Sequence, residues 1–310
     1  MIILWIALGV LVLLLLVGLL VFCIASMEGH PAPLHDMKKL ERIIGHTRAS
    51  LVKSGLSWLS DHPPQEVHMK SFDGYTLRAR WSPVENARAT ILMAHGWHGS
   101  VETDFCGIYG AYQKMGLNLL MIDQRGQNGS EGHYMTFGVK ESRDIADWVR
   151  FHNSHLGDCP VILDGISMGA TSVLMAMGRD LPPNVRGVLA DSGFTSPWEI
   201  LCDVAKRKAH IPSFPLLNCA RLWCRILAGY DPKAYSTVQS MKDSKLPVLL
   251  IHGLADNFVP SHMSQTTYDA YRGPKELILV DNASHGMSYM VDRPRVQKAL
   301  DKFADTILGG

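Results

Sequence analysis

Val161-Ile162-Leu163-Asp164-Gly165-Ile166-Ser167-Met168-Gly169-Ala170 is the stretch that decides how this chain folds. A short apolar run, Val161 to Leu163, leads into Gly165-Ile166-Ser167-Met168-Gly169, and a helix-forming stretch follows over 170–177. Gly-x-Ser-x-Gly between a strand and a helix implies a sharp turn that lifts one hydroxyl above the edge of a sheet. The two glycines let the strand and helix backbones approach where a side chain would block the bend. Such a turn is chemically useful only with partners, and the flanking chain offers them.

Working outward, apolar strands alternate with helical stretches. Residues 66–71 and 76–81 read as two strands joined by a turn at Asp73-Gly74. Further strands are expected at 89–94, 117–123, 160–166, 187–191, 247–252 and 276–280. Helices are expected at 104–115, 139–153, 168–179, 261–271 and 294–308. An antiparallel start followed by alternation predicts an α/β fold, a mostly parallel sheet with helices on both faces. More than fifty residues separate Asp191 from Pro247, too many for a plain connection. They predict a small helical cap, about 193–245, over the carboxyl edge of the sheet, where open α/β sheets place ligands. Trp198, Phe214, Trp223 and Tyr230 in this insertion read as acyl-pocket lining or, equally, as cap core.

A serine hydroxyl is a weak nucleophile until a base takes its proton, and that base must be oriented by a third group. Ile251-His252-Gly253-Leu254-Ala255-Asp256 puts Asp256 in the loop after one strand. Val280-Asp281-Asn282-Ala283-Ser284-His285 puts His285 in the loop after the next. The order Ser167, Asp256, His285, each just beyond a strand, can bring nucleophile, acid and base to one sheet edge. His285 is the candidate base and Asp256 the group that fixes its tautomer; Asp191, ending an earlier strand, is the rival acid. His95-Gly96-Trp97-His98-Gly99 directly follows strand 89–94, so the backbone N–H groups of Trp97 and Met168 are the candidate oxyanion donors. His95 and His252 read as structural imidazoles at strand ends. Asp123 and Arg125 read as loop-fixing residues, Arg125 through Asp144. His98 reads as a loop residue, with pocket lining as the alternative.

These pieces together resemble the serine hydrolases of the α/β-hydrolase superfamily, from about residue 66 to residue 308. The likeness rests on His95-Gly96, on Asp123-Gln124-Arg125-Gly126 with Gly129-Ser130 and Gly132, and on Gly165-Ile166-Ser167-Met168-Gly169. It is completed by His252-Gly253 with Asp256 and Val259-Pro260, and by Ser284-His285-Gly286. In flavour it is similar to single-domain relatives of the catalytic domain of prolyl oligopeptidase-type peptidases. Three departures stand out: no propeller is expected ahead of the domain, the glycine-rich oxyanion motif of many lipases is replaced, and the cap carries no matching motif. The resemblance implies an acyl-enzyme route on carboxylic esters or thioesters, without a cofactor or metal. A small-molecule or lipid-like acyl compound is the expected substrate. A peptidase or amidase, and behind it a non-catalytic binding protein of the same fold, are the alternatives.

The chain has 310 residues and 47% apolar composition, enough for a sizeable core. Lysine and arginine number 30 against 29 acidic residues, a balance that leaves no nucleic-acid footprint. Six scattered cysteines, one of them in the apolar N-terminus, argue against a disulfide framework. Cys202, Cys219, Cys224 and His210 cluster in sequence, but their spacing fits no common ligand pattern, and buried thiols are the plainer reading. Residues 2–24 carry no charge and are long enough to cross a bilayer as a helix. A transmembrane anchor over 1–27 is therefore expected in preference to a signal peptide, which would follow a basic start. A helical connector over 28–64 and a catalytic domain over 65–310 complete the organisation, and the chain is expected to be a single-pass membrane protein. Lys38, Lys39 and Arg42 would put the C-terminal side in the cytoplasm on a count of bases alone, and the length of the domain leaves the topology open.

Overall fold

The computed structural model describes residues 1–29, 33–208 and 210–309. Residues 30–32 of the expected connector, Ala209 in the expected cap and Gly310 lie outside them. After the N-terminal helix α1 (Ile2–Ser26) come α2 (Met37–Ile44) and α3 (His46–Asp61), the strands β1 (Gln65–Lys70) and β2 (Thr76–Ser82), and then β3 (Ala89–Ala94). Two short helices, α4 (Val101–Asp104) and α5 (Tyr109–Lys114), lead to β4 (Leu117–Ile122). Alternation then sets in with α6 (Glu141–His155), β5 (Val161–Ile166), α7 (Met168–Ala176) and β6 (Val185–Asp191). The insertion supplies α8 (Pro197–Arg207), α9 (Leu216–Leu227) and α10 (Thr237–Met241). The chain returns through β7 (Val248–Gly253), α11 (His262–Ala270), β8 (Lys275–Val280), α12 (Ser288–Val291) and α13 (Arg293–Leu308).

The strands form one eight-stranded sheet in the order β1-β2-β4-β3-β5-β6-β7-β8. β1 and β2, and β2 and β4, pair antiparallel; every other pair is parallel. β3, β4 and β7 are buried along their whole length, so they read as continuous apolar runs rather than alternating ones. One face of the sheet packs Trp148, Val149, Val173 and Leu174 from α6 and α7. The other packs Tyr109 and Tyr112 from α5 with Val296, Leu300 and Phe303 from α13. Burying each such side chain stabilises the fold by roughly 1.5–3 kcal/mol.

Two expected helices differ from what the structure shows. Residues 104–115 are not one helix: the chain leaves α4 at Phe105 and re-enters at Tyr109, because α3 crosses close by. A Cβ on Gly55 of α3 would stand 2.7 Å from the Cys106 carbonyl oxygen. The connector is likewise two helices, broken at Gly45, whose φ of 82° suits glycine. It packs on the domain through Leu40, Val52 and Cys106.

α1 does not stand apart from the rest. It is long and apolar enough to cross a membrane. Residues 1–13 are exposed, but burial begins at Leu14 and reaches completion at Gly18, Phe22 and Ser26. A Cβ on Gly18 would meet Cys219 Cβ at 2.5 Å, so α1 and α9 touch backbone to backbone. The Trp223 indole donates to the Leu15 carbonyl at 2.9 Å.

Candidate active site

The turn at Ser167 has a steric cause. A Cβ on Gly165 would lie 2.3 Å from the Gly169 backbone, and one on Gly169 would lie 1.9 Å from the Ala94 oxygen of β3. Only glycine permits β5, α7 and β3 to meet there. Ser167 itself sits at φ 59°, ψ −117°, at the N-terminus of α7, and its N–H donates to the Asp191 carbonyl at 2.8 Å.

The expected acid and base do converge. His285 Nδ1 lies 2.7 Å from Asp256 Oδ2. Asp256 Oδ1 accepts the N–H groups of Phe258 (2.8 Å) and Val259 (2.9 Å), which locks the carboxylate's rotation. Burial alone would raise the Asp256 carboxyl. Hydrogen bonds from His252 and His285, together with the charge of His285, outweigh burial and hold it well below the usual carboxylate range. His252 Nε2 is 3.3 Å from Asp256 Oδ2 and 2.9 Å from the Val259 carbonyl, while its Nδ1 meets Ser264 Oγ at 2.6 Å. The imidazole expected to be merely structural thus also braces the candidate acid, and its place four residues before Asp256 was the available signal. Asp191 goes elsewhere: its Oδ1 accepts the hydroxyls of Ser192 (2.9 Å) and Ser288 (3.0 Å).

The loop after β3 faces Ser167. His95 is buried within it, with Nδ1 2.9 Å from the Gly96 oxygen and Nε2 accepting the Gln124 N–H. Burial lowers its pKa and favours the neutral ring, whose two nitrogens are both taken up by backbone groups of the loops. Asp104, which no motif singles out, accepts the Gly96 N–H at 2.7 Å, and Arg48 of α3 holds the same carboxylate at 3.1 Å. The candidate donor Met168 heads α7, where first-turn N–H groups have no carbonyl one turn back. The candidate donor Trp97 is anchored through its indole, which donates to the Ala25 carbonyl of α1 at 2.8 Å. Arg125 makes the expected pair with Asp144, two hydrogen bonds of 2.6 Å each, and adds Asp73. Asp123 is bound by Arg80 at 2.9 Å. Among the described residues, no three His, Cys, Asp or Glu side chains converge as a metal site would require.

A sequence profile for the alpha/beta hydrolase fold matches residues 89–209. The esterase Pf2001 of Pyrococcus furiosus superposes with a TM-score of 0.64 at 20% identity, over 80% of this chain and 94% of that one. The chain has the α/β-hydrolase fold. Within this fold, Est1E of Butyrivibrio proteoclasticus, solved with ferulic acid, is also similar (TM-score 0.62, 17% identity, 79% of this chain, 100% of that one). By sequence, the chain is 26% identical to the Bacillus subtilis uncharacterized protein YqkD, over 76% of this chain and 77% of that one. It is 24% identical to the lysophosphatidylserine lipase ABHD12 of Xenopus tropicalis, over 67% of this chain and 53% of that one.

Two cavities of this hydrolase-fold chain meet at Ser167, Trp97 and Phe258. One, about 460 Å³, holds His285, His98, Asp104, Arg48 and Lys39, so His98 does line a pocket and the connector forms one wall. The other, about 290 Å³, is walled by Phe137, Phe194, Ile200, Val204 and Leu217, and by Val21, Ile24 and Ala25 of α1. None of Trp198, Phe214, Trp223 and Tyr230 lines either cavity. Trp198 lies under Lys233, Trp223 faces α1, Tyr230 is cap core and Phe214 is exposed.

Proposed function

We propose that this chain is a serine hydrolase that cleaves carboxylic esters or thioesters through an acyl-enzyme intermediate, with α1 holding it at a membrane. The observation that carries the reading is the 2.7 Å contact of His285 with Asp256, beside the cavity that His285 shares with the strained Ser167. His285 Nε2 takes the Ser167 proton as Oγ attacks the carbonyl carbon. The oxyanion formed is received by the N–H groups of Trp97 and Met168, each such donor lowering the barrier by roughly 3–4 kcal/mol. Collapse expels an alcohol or thiol, which leaves with the proton from His285. Water, deprotonated by the same imidazole, then releases the acid and restores Ser167. Asp256 keeps the Nδ1 proton in place and stabilises the imidazolium.

The esterase and lipase names among the similar proteins support an ester over a peptide, and an apolar cavity ending at the nucleophile suits an acyl chain. A fluorophosphonate probe is expected to label Ser167 covalently, and labelling that survives Ser167→Ala would overturn the assignment. An amidase of the prolyl oligopeptidase type, which the motifs resemble, predicts faster turnover of aminoacyl amides than of matched esters. Measuring both on one preparation separates the readings.

A further inference from the structure

The geometry of α1 constrains where the cap must sit. Residues Leu15 to Ser26 of α1 are engaged by Trp223, Cys219 and the core around Phe22. Only residues 2–13 are free of the domain, and at 1.5 Å per residue they span about 18 Å. A hydrocarbon layer is about 30 Å thick. If α1 crosses a bilayer while docked, roughly 12 Å of the docked portion, with the cap helix beside it, must enter the acyl region. The cap surface is built for that. α9 exposes Leu222 (41%) and Ile226 (59%) one turn apart, and Phe214, just ahead of α9, is 77% exposed. Exposed apolar side chains on a helix that packs against a membrane-length helix mark a candidate lipid-contacting face. The apolar cavity is built from the same two helices: Ile24 of α1, 64% exposed, and Leu216 and Leu217 of α9 line it.

We propose that the cap is seated in the membrane surface beside α1, so that the apolar cavity at Ser167 opens onto the acyl layer and takes the acyl chain of a membrane-resident ester. This rests on the serine-hydrolase reading and deepens it. The chain slides along Ile24 and Ala25 to the nucleophile, and the ester's polar remainder occupies the larger cavity with His285, His98 and Lys39. α1 is then part of the substrate site as well as a tether.

The test uses the full chain in phosphatidylcholine vesicles with two nitrophenyl esters, a palmitate held in the vesicles and an acetate in water. Ile24→Trp, which narrows the cavity mouth, is expected to lower the palmitate-to-acetate ratio of kcat/KM by about tenfold. Leu20→Trp, on an exposed part of α1 that does not line the cavity, should leave the ratio unchanged. Leu222→Asp with Ile226→Asp, which puts charge on the lipid-facing patch, should cut vesicle palmitate turnover by about tenfold while acetate turnover stays as before. An unmoved ratio in Ile24→Trp, or unmoved palmitate turnover in the double variant, overturns the proposal. Fluorophosphonate labelling of Ser167 is read in every preparation. Labelling with an unmoved ratio sinks the membrane-fed cavity alone, whereas absence of labelling in the unaltered chain sinks the hydrolase reading and the cavity's role together.

Discussion

Ser167 holds a backbone conformation that costs a non-glycine residue on the order of 1–3 kcal/mol, and the surrounding contacts enforce it. The same over-determination governs its partners. Asp256 has no freedom left once it accepts two backbone N–H groups and faces two imidazoles. Asp256→Asn should therefore keep the geometry, lose the correct His285 tautomer and lower kcat by about 10⁴-fold, measured on a soluble ester. A near-normal rate would reassign the acid. A second buried carboxyl has a different consequence. Asp164 lies inside β5, bonded by the Tyr112 hydroxyl at 2.6 Å, and burial pushes its pKa up to about 7. A carboxyl raised in the folded state stabilises most when protonated. Its contribution is complete below the unfolded value of about 3.9 and is lost as pH climbs towards 7, at on the order of 1.4 kcal/mol per unit. Asp164→Asn removes the titration, so the Tm of the variant should gain on the original chain between pH 4 and 7 and stay level above, followed by thermal melts across that range. A constant difference would show that Asp164 is not the group responsible.

At the scale of elements, the strands and the order of the three candidate catalytic residues were legible in the sequence. β3 ends at Ala94 as expected, and Ser167, His285 and Asp256 each stand just past a strand. Continuous apolar runs bounded by glycine leave little freedom in where a parallel strand lies. What was not legible depends on contacts between segments distant in the chain. The break at Phe105 comes from α3 crossing at Gly55, and no periodicity near residue 105 records it. Arg48 and Asp104 brace the loop after β3 from two separate helices, and neither carries a motif. The Arg125–Asp144 pair fixes the loop after β4 to the start of α6 with both side chains buried. Arg125→Met would leave the Asp144 carboxylate without its cation and is expected to destabilise the fold by about 3–5 kcal/mol in denaturant melts. A loss under about 1 kcal/mol would mean that Asp144 simply takes up a proton or another partner.

At the scale of the whole molecule, the feature least visible in sequence is the docking of α1. A helix apolar on every side carries no moment to say which face is covered. Gly18 and Phe22, one turn apart, mark the docked face only once α9 is seen against it. Phe22 is 1% exposed among Met135, Cys224 and Tyr230. Phe22→Ala in the full chain should cost about 3–5 kcal/mol, as a deep core truncation does, read by chemical denaturation in detergent. A cost near zero would make α1 a loosely attached tail. The hydrogen bond from the Trp97 indole to Ala25 carries this further. It makes the N-terminal helix a non-interchangeable part. Replacing it with an unrelated apolar helix of equal length would keep an apolar segment of the same reach, yet remove a wall of the apolar cavity at Ser167 and a support of the loop that faces it. Designs that shed or swap this segment therefore alter the cavity beside Ser167 as well as the chain's solubility.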